Sequence, residues 1–471
     1  IYVSRLGFDN YGVLIIKSIL TSFFLIHTPH IINVYLVKKI SKEWYFSKAF
    51  ILVICVLLTV LAGQASIFLE IDLSLYFALA GGAIFIVSII NSKEKFINNI
   101  SFLLYLLFLL LGIWAISAYC INFYYHPLFE EKIITGAWAH RDTVWGSSIA
   151  GMLKTYNTSS TGIDGLVPLY YHSFSYFIFG SISGLLDINT VTFANICVPI
   201  LIIPIFFLAF LFCVKEVGEY YSEKLNIQRI DEKNIKFWIF FSIFFTLPLP
   251  FQILGHVGLG RERYYYLISH SYLFALLLTF ILFSIIFSFL NLNKKEKIVS
   301  TYNKIFFVGT IVLFYLSISL SKISFLYVLG SIYGYVFLRL KFYKNIYHML
   351  LMLGFIMVVA IDYLLIINTV TFLKNPIQRI SEDISPFTYI FYTFPSLIYI
   401  CLKMYLLNFR SIKIIYEKIK NKEILDIEIL VLQIIILYPL SFQFFKGIQL
   451  YLAYILILSH LSLFMRLLFT K

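Results

Sequence analysis

The sequence predicts an all-α, polytopic transmembrane helical protein of about 13 spans with a large external loop carrying amphipathic interface helices. Three observations lead there. The 471 residues are 61% hydrophobic and 13% charged, whereas soluble domains run to about 45–50% apolar and about 25% charged. The apolar residues gather in runs near the ~20 residues that a helix needs to cross a bilayer. Lysine and arginine collect between those runs, where they carry topology. The net charge of +13 therefore belongs to membrane orientation, and nucleic acid is excluded as a partner.

Candidate spans lie near 12–35, 49–69, 73–91, 99–122, 190–214, 237–255, 267–290, 303–320, 322–340, 346–368, 388–407, 425–444 and 448–468. One further apolar piece, 166–186, could cross or not, and the basic residues decide. If it does not cross, the connectors bearing Lys38 to Lys48, Lys93 and Lys95, Lys215 to Lys236, Lys294 to Lys297, Lys341 and Lys344, and Arg410 to Lys422 share one side. About 26 of the 37 Lys and Arg then face the cytoplasm, as the positive-inside rule asks. If it crosses, every later connector inverts and the asymmetry vanishes. The piece is therefore expected to lie in the outer interface or to re-enter. Three parts follow: transmembrane helices over 1–122, an external loop over 123–189, and transmembrane helices over 190–471.

The loop is the chemically dense stretch, since it gathers His126, Glu130, Glu131, His140, Arg141, Asp142, Asp164 and His172 in a chain poor in ionisable groups. Long loops with patterned aromatics are usually functional. Within it Trp145, Ile149, Met152, Leu153 and Tyr156 recur at helical spacing opposite Ser147, Ser148 and Lys154, the pattern of a helix lying on a membrane. Asp142 stands just before that helix, where a carboxylate caps orphan amides. TSSTGIDG, with Asp164, reads as turns.

Elsewhere Arg261, Glu262, Arg263 and His270 mark one external connector, and Arg379, Glu382 and Asp383 another. Lys322 stands at the tip of a tight hairpin between two apolar runs, against the positive-inside bias. The five cysteines sit in or beside apolar runs without paired spacing, which suits packing and not a disulfide or metal framework. No period of 20–50 residues marks a repeat protein. Asp362 and Lys17 are the few ionisable residues within spans, too few for a transporter built on matching broken helices.

The run HRDTVWGSSIAGMLKTYNTSSTGIDGLVPLYYHSFSYFIFGSISGLLDI, joined to LSKISFLYVLG around Lys322, resembles the GT-C superfamily of membrane glycosyltransferases. The likeness is broad in architecture and close over about fifty residues. Here the loop follows about four spans, whereas in many members it follows the first. The resemblance implies a sugar donor linked to polyprenyl phosphate and an acceptor that is an envelope glycan, glycolipid or protein. It implies a place in a bacterial inner membrane with the site facing the periplasm or exterior. The Ile-, Lys-, Phe- and Asn-heavy composition also suits a bacterium.

Such transfer needs a base for the acceptor hydroxyl, cations for the departing phosphate, and an aligned pair of substrates. Asp142 matches the family's acidic position and is the leading base; Asp164 and His172 are further catalytic candidates. Each also has a plainer reading, as helix cap, turn residue and buried hydrogen-bonded histidine. Arg261, Arg263, Lys322 and Arg379 are the phosphate candidates, since guanidinium pairs phosphate in two places. Head-group binding or pairing with Glu262 accounts for them equally. Trp138, Trp145 and Tyr171 can stack on sugar or form an interfacial belt. Carboxylates and phosphate share hard divalent cations, but no ligand spacing fixes one, so no metal ligand is assigned and the cofactor stays open. A polymerase or ligase acting on lipid-pyrophosphate-linked repeats is the alternative; there arginines replace the acid as critical groups. A flippase is the second.

Overall fold

A long apolar run in a membrane must satisfy its own backbone N–H and C=O groups, and a helix does so within one segment. That is the outcome in this computed structural model, which describes residues 8–39, 48–91, 141–162, 169, 172–224, 270–294, 301–362, 364, 416–417, 419–420 and 425–432. Among the described residues there is no strand. The helices are α1 (Phe8–Lys39), α2 (Lys48–Leu69), α3 (Ser74–Asn91), α4 (Arg141–Tyr156), α5 (Ser173–Leu185), the turn α6 (Thr190–Thr192) and α7 (Val198–Lys224). Then follow α8 (His270–Lys294), α9 (Thr301–Ser321), α10 (Ile323–Arg339), α11 (Ile346–Asp362) and α12 (Leu425–Leu432).

Among the described residues four stretches are long and apolar enough to cross a membrane: Gly12–Pro29, Lys48–Leu69, His270–Leu290 and Lys304–Ser321. The outward faces agree. Leu57, Leu58, Leu61 and Phe68 on α2, and Leu353, Ile356 and Met357 on α11, are exposed, where a soluble helix would show polar residues. The chain is a helical membrane protein. Predicted spans at 99–122, 237–255, 388–407 and 448–468, and most of 425–444, lie outside the described residues.

The chain divides into two compact units, the first comprising Ile1–Cys213, Phe251–Val299 and Leu320–Lys322, and the second the remainder. In the first, α1 and α3 run parallel. Gly81 lies against the Leu20 backbone, Phe23 stacks on Phe85 at 4.3 Å, and Ser88 Oγ meets His27 Nδ1 at 3.3 Å. The α2–α3 turn is tied to α1 because Lys17 donates to Ser74 Oγ at 2.6 Å and pairs with Asp72 at 3.5 Å. Lys17 thus lies within the span Gly12–Pro29, as expected, and reaches the start of α3. The Ser74 hydroxyl and, further down, the Lys17 charge hold the Asp72 carboxyl below the usual carboxylate range.

Helix α5 (SFSYFIFGSISGL) is rich in small residues and is buried between neighbours. A Cβ on Gly63 of α2 would meet Ser181 O at 2.0 Å, and one on Gly184 would meet the Ile67 side chain. Gln64 donates to Ser181 Oγ at 2.6 Å. The pairs 63–181 and 67–184 advance together, so α5 runs alongside α2 in the same direction. At 13 residues it is about 20 Å long, too short to cross a ~30 Å hydrocarbon core.

Helix α4 lies against α5, also parallel: Gly146 faces Tyr176, and Gly180 faces the Ala150 backbone. This corrects the expected facing of α4. Ser147, placed on the polar face by the sequence, is buried, whereas Tyr156 is exposed, and the Lys154 ammonium turns inward to donate to Ile188 O at 2.7 Å. The stripe Gly146, Ser147, Ala150 is the side that lets two backbones approach closely. Close packing, and not amphipathicity, therefore orients the helix.

Helix α5 ends in a Schellman turn, with Asp187 in the left-handed region at φ 52 and Ile188 N donating to Ser183 O. Asn189 then caps α6, its Oδ1 accepting from Thr192 N at 2.7 Å. A π-helical segment, Phe193–Cys197, joins α6 to α7. Phe179 of α5 contacts Phe193 and Phe274, and Phe280 of α8 contacts Phe206 and Phe210 of α7. The described cysteines, Cys55, Cys197 and Cys213, are buried thiols that join no disulfide.

In the second unit α9 and α10 form a hairpin, since the Tyr315 phenol lies against Gly330. Tyr315 also stacks on Phe355 of α11 at 4.0 Å. Arg339, at the end of α10, grips Glu428 of α12 through Nε at 2.8 Å and Nη2 at 3.0 Å, and Tyr335 donates to the same carboxylate at 2.7 Å.

Candidate functional site

The parallel packing of α4 and α5 fixes what lies at their common end. With Gly146 level with Tyr176 and Ala150 level with Gly180, the first turn of α4, holding Asp142, is level with His172, the residue preceding α5. Asp142 is the second residue of α4 and not the residue before it, a shift within the usual latitude of helix ends; a carboxylate in the first turn still complements the helix dipole. The same bookkeeping along α2, where Ser181 meets Gly63, puts His172 level with about Ile54. This end of α5 therefore lies nearer the Lys48 end of α2 than its Leu69 end.

His172 is only 4% exposed and adopts φ 64, ψ 12. A helix N-cap ordinarily takes extended backbone, and the left-handed region is uncommon for a residue other than glycine. Surrounding contacts hold it there. Ser175 Oγ donates to His172 O at 2.9 Å, and Trp145 and Tyr176 meet the imidazole edge-on, at 5.8 Å and 6.2 Å between centroids.

Both ring nitrogens are engaged at the hairpin tip, which the first unit includes. Nδ1 lies 2.6 Å from Ser321 O. A carbonyl only accepts, so Nδ1 carries the proton and Nε2 presents a lone pair. Nε2 is 3.3 Å from the Lys322 Nζ, which donates. With the proton on Nδ1 and the lone pair of Nε2 turned to an ammonium, the ring is the neutral imidazole.

Of the residues singled out by sequence, Trp145, His172 and Lys322 stand together, with the backbone of Asp142 at their level. Trp138, Asp164, Tyr171, Arg261, Arg263 and Arg379 lie outside the described residues. Two participants were not anticipated: the carbonyl of Ser321, and Tyr176, whose ring fills the space above Gly146. The glycine was the available signal, since at helical spacing it permits such a ring to approach. Among the described residues no three His, Cys, Asp or Glu side chains converge as metal ligands.

The end of α4 and α5 can thus offer an ammonium held by a neutral imidazole, an indole, and two parallel helix N-termini, which favour negative charge. Fold and site together define a helical membrane protein with a buried ionisable cluster at the common end of α4 and α5, and ionisable groups buried in such proteins are usually functional. No protein-family model, curated protein or solved structure matches the chain.

Proposed function

We propose that the protein is a membrane glycosyltransferase of the GT-C type, moving a sugar from a polyprenyl-phosphate donor to an envelope glycan, glycolipid or protein. The observation that carries this reading is the cluster at the start of α4 and α5, where the level of Asp142, Trp145, His172 and the Lys322 ammonium coincide. Transfer from a lipid phosphate asks for an acid–base group and a cation a short distance apart in a dry site. Asp142 is assigned as the base, with Asp164 as second acid. Lys322, joined by Arg261, Arg263 and Arg379, takes the phosphate, and Trp138, Trp145 and Tyr171 line the sugar. The chemistry is direct displacement at the anomeric carbon with inversion. The acceptor oxygen gives its proton to the Asp142 carboxylate, and the phosphate leaves with the bonding pair.

The wider architecture belongs to the same reading: about 13 spans in a bacterial inner membrane, with 166–186 re-entering from the outer side. The short α5 alongside α2 supports that last point. Polymerisation or ligation of lipid-pyrophosphate-linked repeats is the competing reading, favoured by the number of outer arginines. A flippase is less favoured, because Asp362 and Lys17 are too few ionisable residues within spans for matching broken helices.

The deciding assay is transfer from a defined polyprenyl-phosphate sugar in nanodiscs. Asp142→Asn should lower turnover by about 10²–10⁴-fold, the usual share of a general base, with melting little changed. Arg261→Ala and Arg263→Ala should weaken donor binding and turnover together. Full activity in Asp142→Asn, with loss only in the arginine variants, would transfer the assignment to the polymerase class.

A further inference from the structure

We infer that His172 is a positioning residue for Lys322: one imidazole clamps the main chain of the hairpin tip through Ser321 O and the side chain of the next residue through its ammonium. The half of this inference that concerns a ligand rests on reading Lys322 as a phosphate contact; the half that concerns the clamp does not.

The geometry separates this role from proton transfer. A base needs its lone pair directed at the proton it takes, yet Nε2 faces an ammonium at 3.3 Å. Protonating the ring would set two cations against each other in a buried place. The other nitrogen is committed to a carbonyl at 2.6 Å, one of the C-terminal carbonyls of α9 that lack an intrahelical partner. Ring contacts from Trp145 and Tyr176 and the left-handed backbone also fix the imidazole. Lysine otherwise samples many rotamers, with a flexible four-carbon stem. Here one of its three N–H groups has a fixed acceptor, so the ammonium is placed before any anion arrives. Preplaced charge spares reorganisation when a phosphate binds.

Two variants divide the clamp. His172→Asn puts an amide N–H near the Nδ1 position and tolerates left-handed backbone, so it keeps the Ser321 bond and deletes the acceptor for Lys322. His172→Gln places its amide oxygen near Nε2, so it keeps the acceptor and deletes the tip bond. The direct readout is the rate at which Lys322 is acetylated by an N-hydroxysuccinimide ester, followed by mass spectrometry on the full chain in nanodiscs. An acceptor stabilises the ammonium and slows acylation. Wild type and His172→Gln should therefore react slowly, and His172→Asn about tenfold faster, the equivalent of one hydrogen bond to a charged group. Equal rates in all three, or fast reaction in the Gln variant, would overturn the inference; if the Asn variant does not purify, the Gln variant decides alone. The second readout is donor transfer. The inference expects His172→Asn to raise KM with the pH profile unchanged in shape and His172→Gln to restore it, whereas a proton-carrying histidine would lose kcat in both. Were no transfer found in wild type, the proposed function would fall while the acetylation contrast still judged the clamp.

Discussion

Gly63→Ala is the sharpest test of the packing that carries α5. A Cβ at position 63 would lie 2.0 Å from Ser181 O and 2.6 Å from Ser181 C. Real Cβ atoms do not come within 3.0 Å, so α2 and α5 would have to separate by about 1 Å, with backbone as the obstacle on both sides. That separation stretches the Gln64–Ser181 hydrogen bond from 2.6 Å beyond bonding range. Overpacking costs about 1–3 kcal/mol and the lost bond about 0.5–1.5 kcal/mol, giving about 2–4 kcal/mol in all. At about 2–4 °C per kcal/mol for a unit of this size, the apparent melting temperature in detergent should fall by about 4–16 °C. Two controls grade the effect. At Gly184 the added Cβ meets Ile67 Cδ1 and Cγ1 at 2.5 Å, with the Gly63 carbonyl at an ordinary 3.5 Å; a side chain yields more readily than backbone, so Gly184→Ala should cost less. At Gly309 nothing lies within 4 Å, so Gly309→Ala should be neutral or stabilising by up to about 1 kcal/mol. Melting curves that place Gly63→Ala at or above wild type would refute the close α2–α5 approach.

The remaining predictions follow from charge. Glu428→Gln weakens the Arg339 fork and the Tyr335 bond, so melting should show a loss of about 1–3 kcal/mol, the size of charged hydrogen bonds; no loss would remove α12 from α10. With native cysteines replaced, Arg229→Cys should resist a membrane-impermeant maleimide in intact cells and react after permeabilisation. Labelling from outside would reverse the orientation assigned by charge.

The helices were legible wherever hydropathy alone determines them. Predicted spans at 49–69, 73–91, 303–320 and 322–340 correspond to α2, α3, α9 and α10 within a few residues, because a backbone removed from water has little alternative. The hairpin at Lys322 was legible for a related reason: one charged residue between two apolar runs marks a chain reversal. Facing was not legible. The serines of α4 looked like a polar surface, but in a membrane protein small side chains serve close packing, and one-letter polarity does not separate the two uses. Nor did any local pattern announce the π segment at Phe193–Cys197, which arises in the continuation of a capped helix.

The site shows the same division between local and distant information. His172 read from sequence as either a buried hydrogen-bonded residue or a functional one, and Lys322 read as a cation on the wrong side of the charge bias. Their separation of 150 residues meant that no spacing rule connected them. What joined them was the run of small residues in α5: Gly180, Ser181 and Gly184 let α2 and α4 approach closely enough to bring α5 alongside both. His172 is then buried level with about Ile54 of α2, where a lone imidazole would be costly to bury unless both nitrogens found partners. The hairpin tip supplies both, a carbonyl and an ammonium on consecutive residues. The glycines and the histidine are therefore one device, and the graded glycine series and the two His172 variants test its two halves separately. If Gly63→Ala loosened α5 without altering Lys322 acetylation, the helix packing and the clamp would be independent, and the device would have to be divided.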